Sequence, residues 1–278
     1  MNNVGMQKLT IIKARKKRPL LKMLWGYHEL LFFLSWRDIL VRYKQTVLGL
    51  LWAIIRPFLL MLVFTLLFGK VLNLENQTDI PYPLIVFAGL LPWQFFSSSV
   101  QQISDSLVQN ANLIAKVYFP RLIIPLSSMV TSFVDFLISA FMLVMLMIWF
   151  QYTPDYKVLY LPVFVLVFLM FSFGMGLFIA TLNVTYRDFR YIIPFVIQLG
   201  FYISPVGFDL AVIPEQWRLL YSLNPLVGII EGFRFCLLTD HTTLYWPSIY
   251  ISVLMSVTFM CLGLKTFQTM ERNFADRI

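Results

Sequence analysis

Between Leu30 and Phe68 the sequence changes once, at about Thr46, from an amphipathic pattern to a continuously apolar one. Before the change, Ser35, Asp38, Arg42 and Gln45 recur at helical spacing on one side, with Phe32, Trp36, Ile39, Tyr43 and Val47 on the other. Such a helix lies on a membrane surface. After it, residues 47–68 carry one charge, Arg56. At 1.5 Å per residue that run crosses the roughly 30 Å of a bilayer's hydrocarbon. The chain therefore approaches a bilayer sideways and then enters it.

Five further apolar segments follow, at about 84–103, 122–150, 158–182, 191–206 and 244–267. With the first, at 47–68, they predict an all-α integral membrane protein of six transmembrane helices, led by an interfacial helix at 30–46. The first 29 residues form a basic segment, and residues 30–278 read as one domain, because the short loops leave no room for another. The connection between the fifth and sixth spans is unusual in being apolar itself. Pro214 and Pro225 each suit a first helical turn, and Asn224 suits an N-cap. Two short helices are expected, Pro214 to Leu223 and Pro225 to Leu238. The second, with Leu226, Ile229, Ile230, Phe233 and Leu237 on one side, is too short to span and should rest against the bundle.

With 59% hydrophobic and 13% charged residues, the chain is far more apolar than a soluble domain, where about 25% of residues are charged. Its net charge of +8 sits in the first 46 residues, where ten Lys and Arg face only Glu29 and Asp38. The basic run Lys13, Arg15, Lys16, Lys17 and Arg18 precedes a surface helix and a span, which points to anionic lipid rather than nucleic acid. Both termini are then cytoplasmic. The remaining cations agree: outer loops hold only Lys70, Lys157, Arg218 and Arg234. The apolar run starts too late and is too long for a cleaved signal peptide.

Chemistry-bearing clusters are not evident. Cys236, Cys261, His28 and His241 stand apart, so no metal or disulfide framework is expected. The string Gly263-Leu264-Lys265-Thr266 lacks the first glycine of a phosphate loop, so this chain should not hydrolyse a nucleotide by itself. Arg56 and Asp135 lie deep in spans, where ionisable groups usually face the bundle interior. Either they pair, or Arg56 snorkels to the inner surface, or Arg56 meets a passing phosphate. Aromatic clusters such as Trp93, Phe95 and Phe96 suit an interfacial belt; Tyr202, Trp217 and Tyr221 alternatively offer stacking surfaces for sugar rings at the outer mouth. In the loop after span two, Asn110 to Val117 makes two helical turns that should expose Leu113, Ile114 and Val117 to the cytoplasm. An exposed apolar knob implies a docked protein.

Several strings in order then carry a resemblance that covers nearly the whole chain after Leu30. Trp36-Arg37-Asp38, Arg42-Tyr43-Lys44-Gln45-Thr46, Leu48-Gly49 and Trp52 resemble the entry helix of the membrane subunits of polysaccharide-export ABC transporters. Asn112-Leu113-Ile114 with Lys116-Val117-Tyr118-Phe119-Pro120-Arg121 resembles their coupling segment. Ser204-Pro205-Val206, Pro214, Leu223-Asn224-Pro225, Gly228 and Gly232-Phe233-Arg234 are similar to their outer gate, and Phe274-Ala275-Asp276 agrees with their ending. The resemblance implies a homodimer in a bacterial inner membrane, docked to two copies of a separate ATPase subunit that holds ATP and Mg. It implies export of a lipid-linked polysaccharide such as O antigen, teichoic acid or capsule. Asn110, Leu113, Ile114, Lys116, Val117, Asp38 and Arg42 would serve coupling. Pro205, Pro214, Trp217, Tyr221, Asn224 and Pro225 would form the gate, and Arg56, Asp135 and Tyr202 would line the substrate path. The alternatives are a same-fold permease for a drug or small lipid, and a membrane enzyme acting on lipid-linked sugars.

Overall fold

In a computed structural model, residues 25–44, 51–71, 80–186, 188–238 and 244–271 are described. The basic N-terminal run, the switch at Thr46, His241 and the Phe274-Ala275-Asp276 tail lie outside them. All elements among the described residues are helical. They are α1 (His28–Lys44), α2 (Leu51–Phe64, continued by a π-helical stretch Thr65–Val71), α3 (Tyr82–Gln109), α4 (Ala111–Lys116), α5 (Ile123–Trp149) and α6 (Leu161–Thr185). After these come α7 (Phe189–Ile203), α8 (Glu215–Tyr221), α9 (Pro225–Leu237) and α10 (Trp246–Met270).

Among the described residues, five helices are long and apolar enough to cross a membrane: α2 with its π-helical extension, α3, α5, α6 with the turn before it, and α10. The expected fifth span is α7, an apolar helix of 15 residues. It ends at Ser204-Pro205, because the ring has no N–H to continue the ladder. The short helices expected near Pro214 and Pro225 are present as α8 and α9, and the Asn224 side chain caps α9 by accepting from the Leu226 N–H at 3.1 Å. Pro225 occupies the first turn, and Leu226, Ile229, Ile230, Phe233 and Leu237 are all buried, as the pattern requires.

The centre of the bundle is α3, 78% buried over its apolar window against 11% for α2. It packs along α5, α6 and α9, while α6 runs against α10. One end of the bundle, here the near end, carries α1, α4 and the end of α10; the far end carries α8 and α9. Leu34, Leu107, Ile114, Phe119, Leu177 and Phe267 form one core at the near end, and Leu84, Phe87, Phe95, Phe168, Ile229 and Phe233 belong to a larger one beyond it. Lipid solvates apolar side chains as well as they solvate each other, so close packing of small residues must hold such helices together. At the crossing of α6 and α10, a Cβ on Gly263 would lie 2.2 Å from the Gly174 carbonyl oxygen. Ser248 and Ser252 let α9 approach α10 equally closely at Gly228, and Ser252 Oγ donates to the Pro225 carbonyl at 2.6 Å.

Two expectations change. The polar side of α1 does not face water: Ser35 is buried and Asp38 and Arg42 half-buried against the bundle, while Phe32 and Trp36 point outward. Asp135 and Asn110 offer partners there that water would otherwise supply. Ile114, expected to be exposed, is buried in the near-end core, because α4 folds back beneath α3. Leu113, also expected to be exposed, is half-buried, and the exposed residues are Asn112, Ala115, Lys116, Val117 and above all Tyr118, which is 97% exposed.

Gly263→Val should wedge α10 from α6 and destabilise the protein by about 1–3 kcal/mol, the usual penalty of overpacking. Thermal unfolding of the detergent-solubilised protein measures this, and Cys261→Val, an exposed site two residues earlier, serves as the control.

Candidate functional site

The sequence places a polar stripe on one side of α3, Gln94, Ser97, Ser98 and Gln101, at the i, i+3, i+4, i+7 spacing of a helix face. That stripe lines a cavity of about 880 Å³ between α2, α3, α5 and α7. Arg42 and Tyr43 of α1, Trp52 and Arg56 of α2, Ser132, Asp135 and Ser139 of α5, and Gln198, Phe201 and Tyr202 of α7 complete its walls together with Trp93 and Gln102. Gln102 Nε2 donates to Ser132 Oγ at 2.7 Å, joining two walls. Amide, hydroxyl and aromatic side chains therefore converge beside helices long and apolar enough to cross a membrane, a setting in which polar groups are costly unless they serve something.

Arg56, Asp135 and Tyr202, named from sequence as substrate-path residues, share this cavity. Of the alternatives offered for Arg56, the pair with Asp135 is not formed. Asp135 instead accepts from Arg42 on one carboxylate oxygen and from the Tyr43 hydroxyl on the other. Arg42, named as a coupling residue, is thus a wall of the cavity and the counter-ion of its carboxylate. The sequence hid this because α1 and α5 are 93 residues apart. The stripe on α3 was legible as spacing, and it is the signal that sequence reasoning passed over.

From the cavity wall a relay of rings runs to the far end. Trp93 meets Phe201 at 5.5 Å between centroids, Phe201 meets Phe64 at 5.3 Å, and Phe64 stacks on Phe68 at 5.4 Å. Phe68 meets Phe208 at 6.2 Å, and Phe208 meets Tyr221 at 6.4 Å. Beneath these rings runs the unwound segment Ser204 to Phe208, with three consecutive carbonyls. The Arg234 guanidinium donates to Val206 O at 2.8 Å and Phe208 O at 2.7 Å, and Tyr82 Oη donates to Gly207 O. Arg234 is fully buried, also donates to Ile85 O at 3.3 Å, and pairs with Glu231 at 3.2 Å. Burial pushes the Glu231 carboxyl up to about 7, against the opposing pull of Arg234.

Of the residues expected to form a gate, Pro205 is buried within this segment and Pro214 caps α8. Tyr221 Oη donates to Ile203 O, and Asn224 Nδ2 donates to Ser204 Oγ at 3.1 Å, so both hold the end of α7. Pro225 opens α9. Trp217 is exposed, and the three aromatics expected to share one surface are separated: Tyr202 is in the cavity wall, Tyr221 on Phe208, Trp217 on the exterior. Arg234, the residue on which this end depends, was read from sequence as an outer-loop cation and as part of the gate-like string Gly232-Phe233-Arg234, but not as the buried donor to this segment.

At the near end, Asp38 accepts from Arg37 at 2.7 Å, and the same guanidinium reaches Asn110 Oδ1 at 3.1 Å, tying α1 to the start of α4. Arg121 donates to the Glu271 carbonyl, tying the loop after α4 to the end of α10. Among the described residues no group of three or more His, Cys, Asp or Glu could hold a metal ion.

Residues 29–238 match the ABC-2 type transporter family. The chain is 30% identical, over 93% of its length, to an O-antigen export system permease protein RfbA of Myxococcus xanthus, 99% of which is covered. An O-antigen export system permease protein RfbA of Klebsiella pneumoniae is 31% identical over 90% of this chain and 96% of its own length. The polysialic acid transport protein KpsM of Escherichia coli is 25% identical over 84% of this chain and 91% of its own.

Arg234→Met should cost about 3–5 kcal/mol by stranding Glu231, and Tyr82→Phe about 1–3 kcal/mol by freeing one carbonyl. Denaturant unfolding in detergent would register both. Arg42→Asp should likewise lower folded yield by leaving Asp135 without its cation, and combining it with Asp135→Arg should restore yield if the ion pair is what matters.

Proposed function

The chain belongs to the ABC-2 type transporter family, and on that premise we propose that it is the channel-forming permease subunit of an ATP-driven exporter of a lipid-linked polysaccharide. The cavity is the observation that carries the reading. Sugar rings present hydroxyls at their edges and C–H faces between them, and a wall of Gln, Ser and aromatic side chains complements both. Relatives that match nearly end to end carry names of O-antigen export permeases.

In this reading α7, with the segment that follows it, is a sixth span shortened by Pro205, and the near end faces the cytoplasm, as the cation bias favours. Two copies assemble with two copies of a separate ATPase that binds ATP and Mg. The ATPase docks on α4 and the turn after it, with Asn110, Leu113, Lys116 and Val117 near the contact and Tyr118 as its most exposed ring. Ile114 fixes α4 to the core instead of touching the partner. The Arg37, Asp38 and Asn110 contacts carry movement of α4 into α1, and Arg42 carries it to Asp135 and the cavity wall. Opening requires the ring relay over the far end to part, with α8 and α9 moving away from Phe208.

Purification from the native membrane with identification of co-purifying proteins tests the assembly: an ATPase in about equal amount is expected, and its repeated absence overturns the reading. Tyr118→Asp should abolish export of the surface polymer while the protein accumulates normally, as read by polymer immunoblot and membrane protein level. Ile114→Asp should instead lower the level itself.

A further inference from the structure

The cavity holds two guanidinium groups and one carboxylate, and these do not cancel evenly. Asp135 spends one oxygen on Arg42 and the other on the Tyr43 hydroxyl. Arg56, also in the wall, makes no ion pair or hydrogen bond with any described residue. A second donor nearby is idle: Gln94 Nε2 is buried without a partner. The Ser97 and Ser98 hydroxyls donate to carbonyls of their own helix, and Gln102 is engaged with Ser132. Among the described residues of this wall, Arg56 is the cation with no counter-ion, Gln94 Nε2 is the buried amide nitrogen with no acceptor, and the Asp135 carboxylate is already satisfied.

An unpaired guanidinium at bilayer depth is unfavourable unless something meets it. A guanidinium presents paired N–H groups in a plane, which fits two oxygens of a phosphate or carboxylate. Resting on the transport reading above, we propose that Arg56, assisted by Gln94, is an anion-recognition site of the cavity that takes a phosphate or carboxylate group of the transported glycolipid. Two sources share this chemistry: the phosphate that joins glycan to lipid, and acidic groups on the glycan itself. In either case the neutral aromatic and amide wall accommodates sugar, while Arg56 selects for charge.

The test uses the permease purified with its ATPase and follows quenching of tryptophan fluorescence, since Trp52 and Trp93 both line the cavity. Four probes are titrated: an oligogalacturonate, a neutral dextran oligomer of equal length, farnesyl pyrophosphate and farnesol. Arg56→Gln should weaken an anionic probe by about tenfold or more, as loss of a charge-assisted hydrogen bond implies, and leave the neutral probes unchanged. Arg56→Lys, which keeps the charge and loses the fork, should fall between. An effect confined to the pyrophosphate assigns the site to the lipid linkage, and one confined to the uronate assigns it to the glycan. Wild-type protein that binds charged and neutral probes alike, or Arg56→Gln that binds every probe as wild type does, overturns the proposal and leaves the transport reading standing. Failure of the ATPase to co-purify tests the transport reading separately.

Discussion

The far end of the molecule depends on one buried cation. The Arg234 guanidinium has no contact with solvent, and its donors go to Ile85 of α3, to Val206 and Phe208 of the unwound segment, and to Glu231 within α9. Irregular backbone within a membrane bundle survives only where its carbonyls find donors in the protein. Arg234 and Tyr82 supply those donors, so the chain can stop α7 at Pro205 and turn back without leaving orphaned polar groups. Remove that arrangement and the turn after Pro205 is left with orphaned carbonyls, and the ring relay from Trp93 to Tyr221 loses its backing.

The middle of the molecule follows from a different rule. Because lipid offers no hydrophobic reward for helix association, contact has to come from close approach, which Gly174, Gly228, Gly263 and the Ser248 and Ser252 positions permit. These small residues draw α6, α9 and α10 together on one side of α3. On the other side α2 and α7 stand further off, with polar and aromatic side chains between them and α3. A bundle packed tightly on one side and loosely on the other is one that can hold a path for a polar cargo. The near end then links that path to α4 through short polar contacts, Arg37 to Asn110 and Arg42 to Asp135.

Several elements were legible in the sequence because they follow from local patterns. The apolar runs gave the helices, and Pro225 and Asn224 gave the start of α9 with its cap, while Pro205, placed inside the expected span 191–206, was a local signal for the end of α7 at Ile203. The stripe of Gln94, Ser97, Ser98 and Gln101 was equally local and would have marked the cavity wall. Other assignments failed for want of long-range information. Ile114 and Val117 look alike as apolar residues of a short helix, yet one is buried beneath α3 and the other exposed. Arg56 was the partner that the sequence offered for Asp135, and the position of α1 against α5 supplies Arg42 instead.

The sequence by itself determined that this chain belongs in a membrane, where its helices run, where proline breaks them, and that it lacks a recognisable nucleotide site. Those properties depend on composition and on neighbours a few residues away. The tertiary structure decided which polar groups meet: Asp135 with Arg42 and Tyr43, and Arg234 with the carbonyls of Val206 and Phe208. It also left Arg56 facing the cavity with no described residue to pair with. A buried charge is stable only with a partner, and beyond Glu231, three residues from Arg234, the partners in this chain come from segments separated by 26 to 149 residues, a distance over which no local pattern carries information.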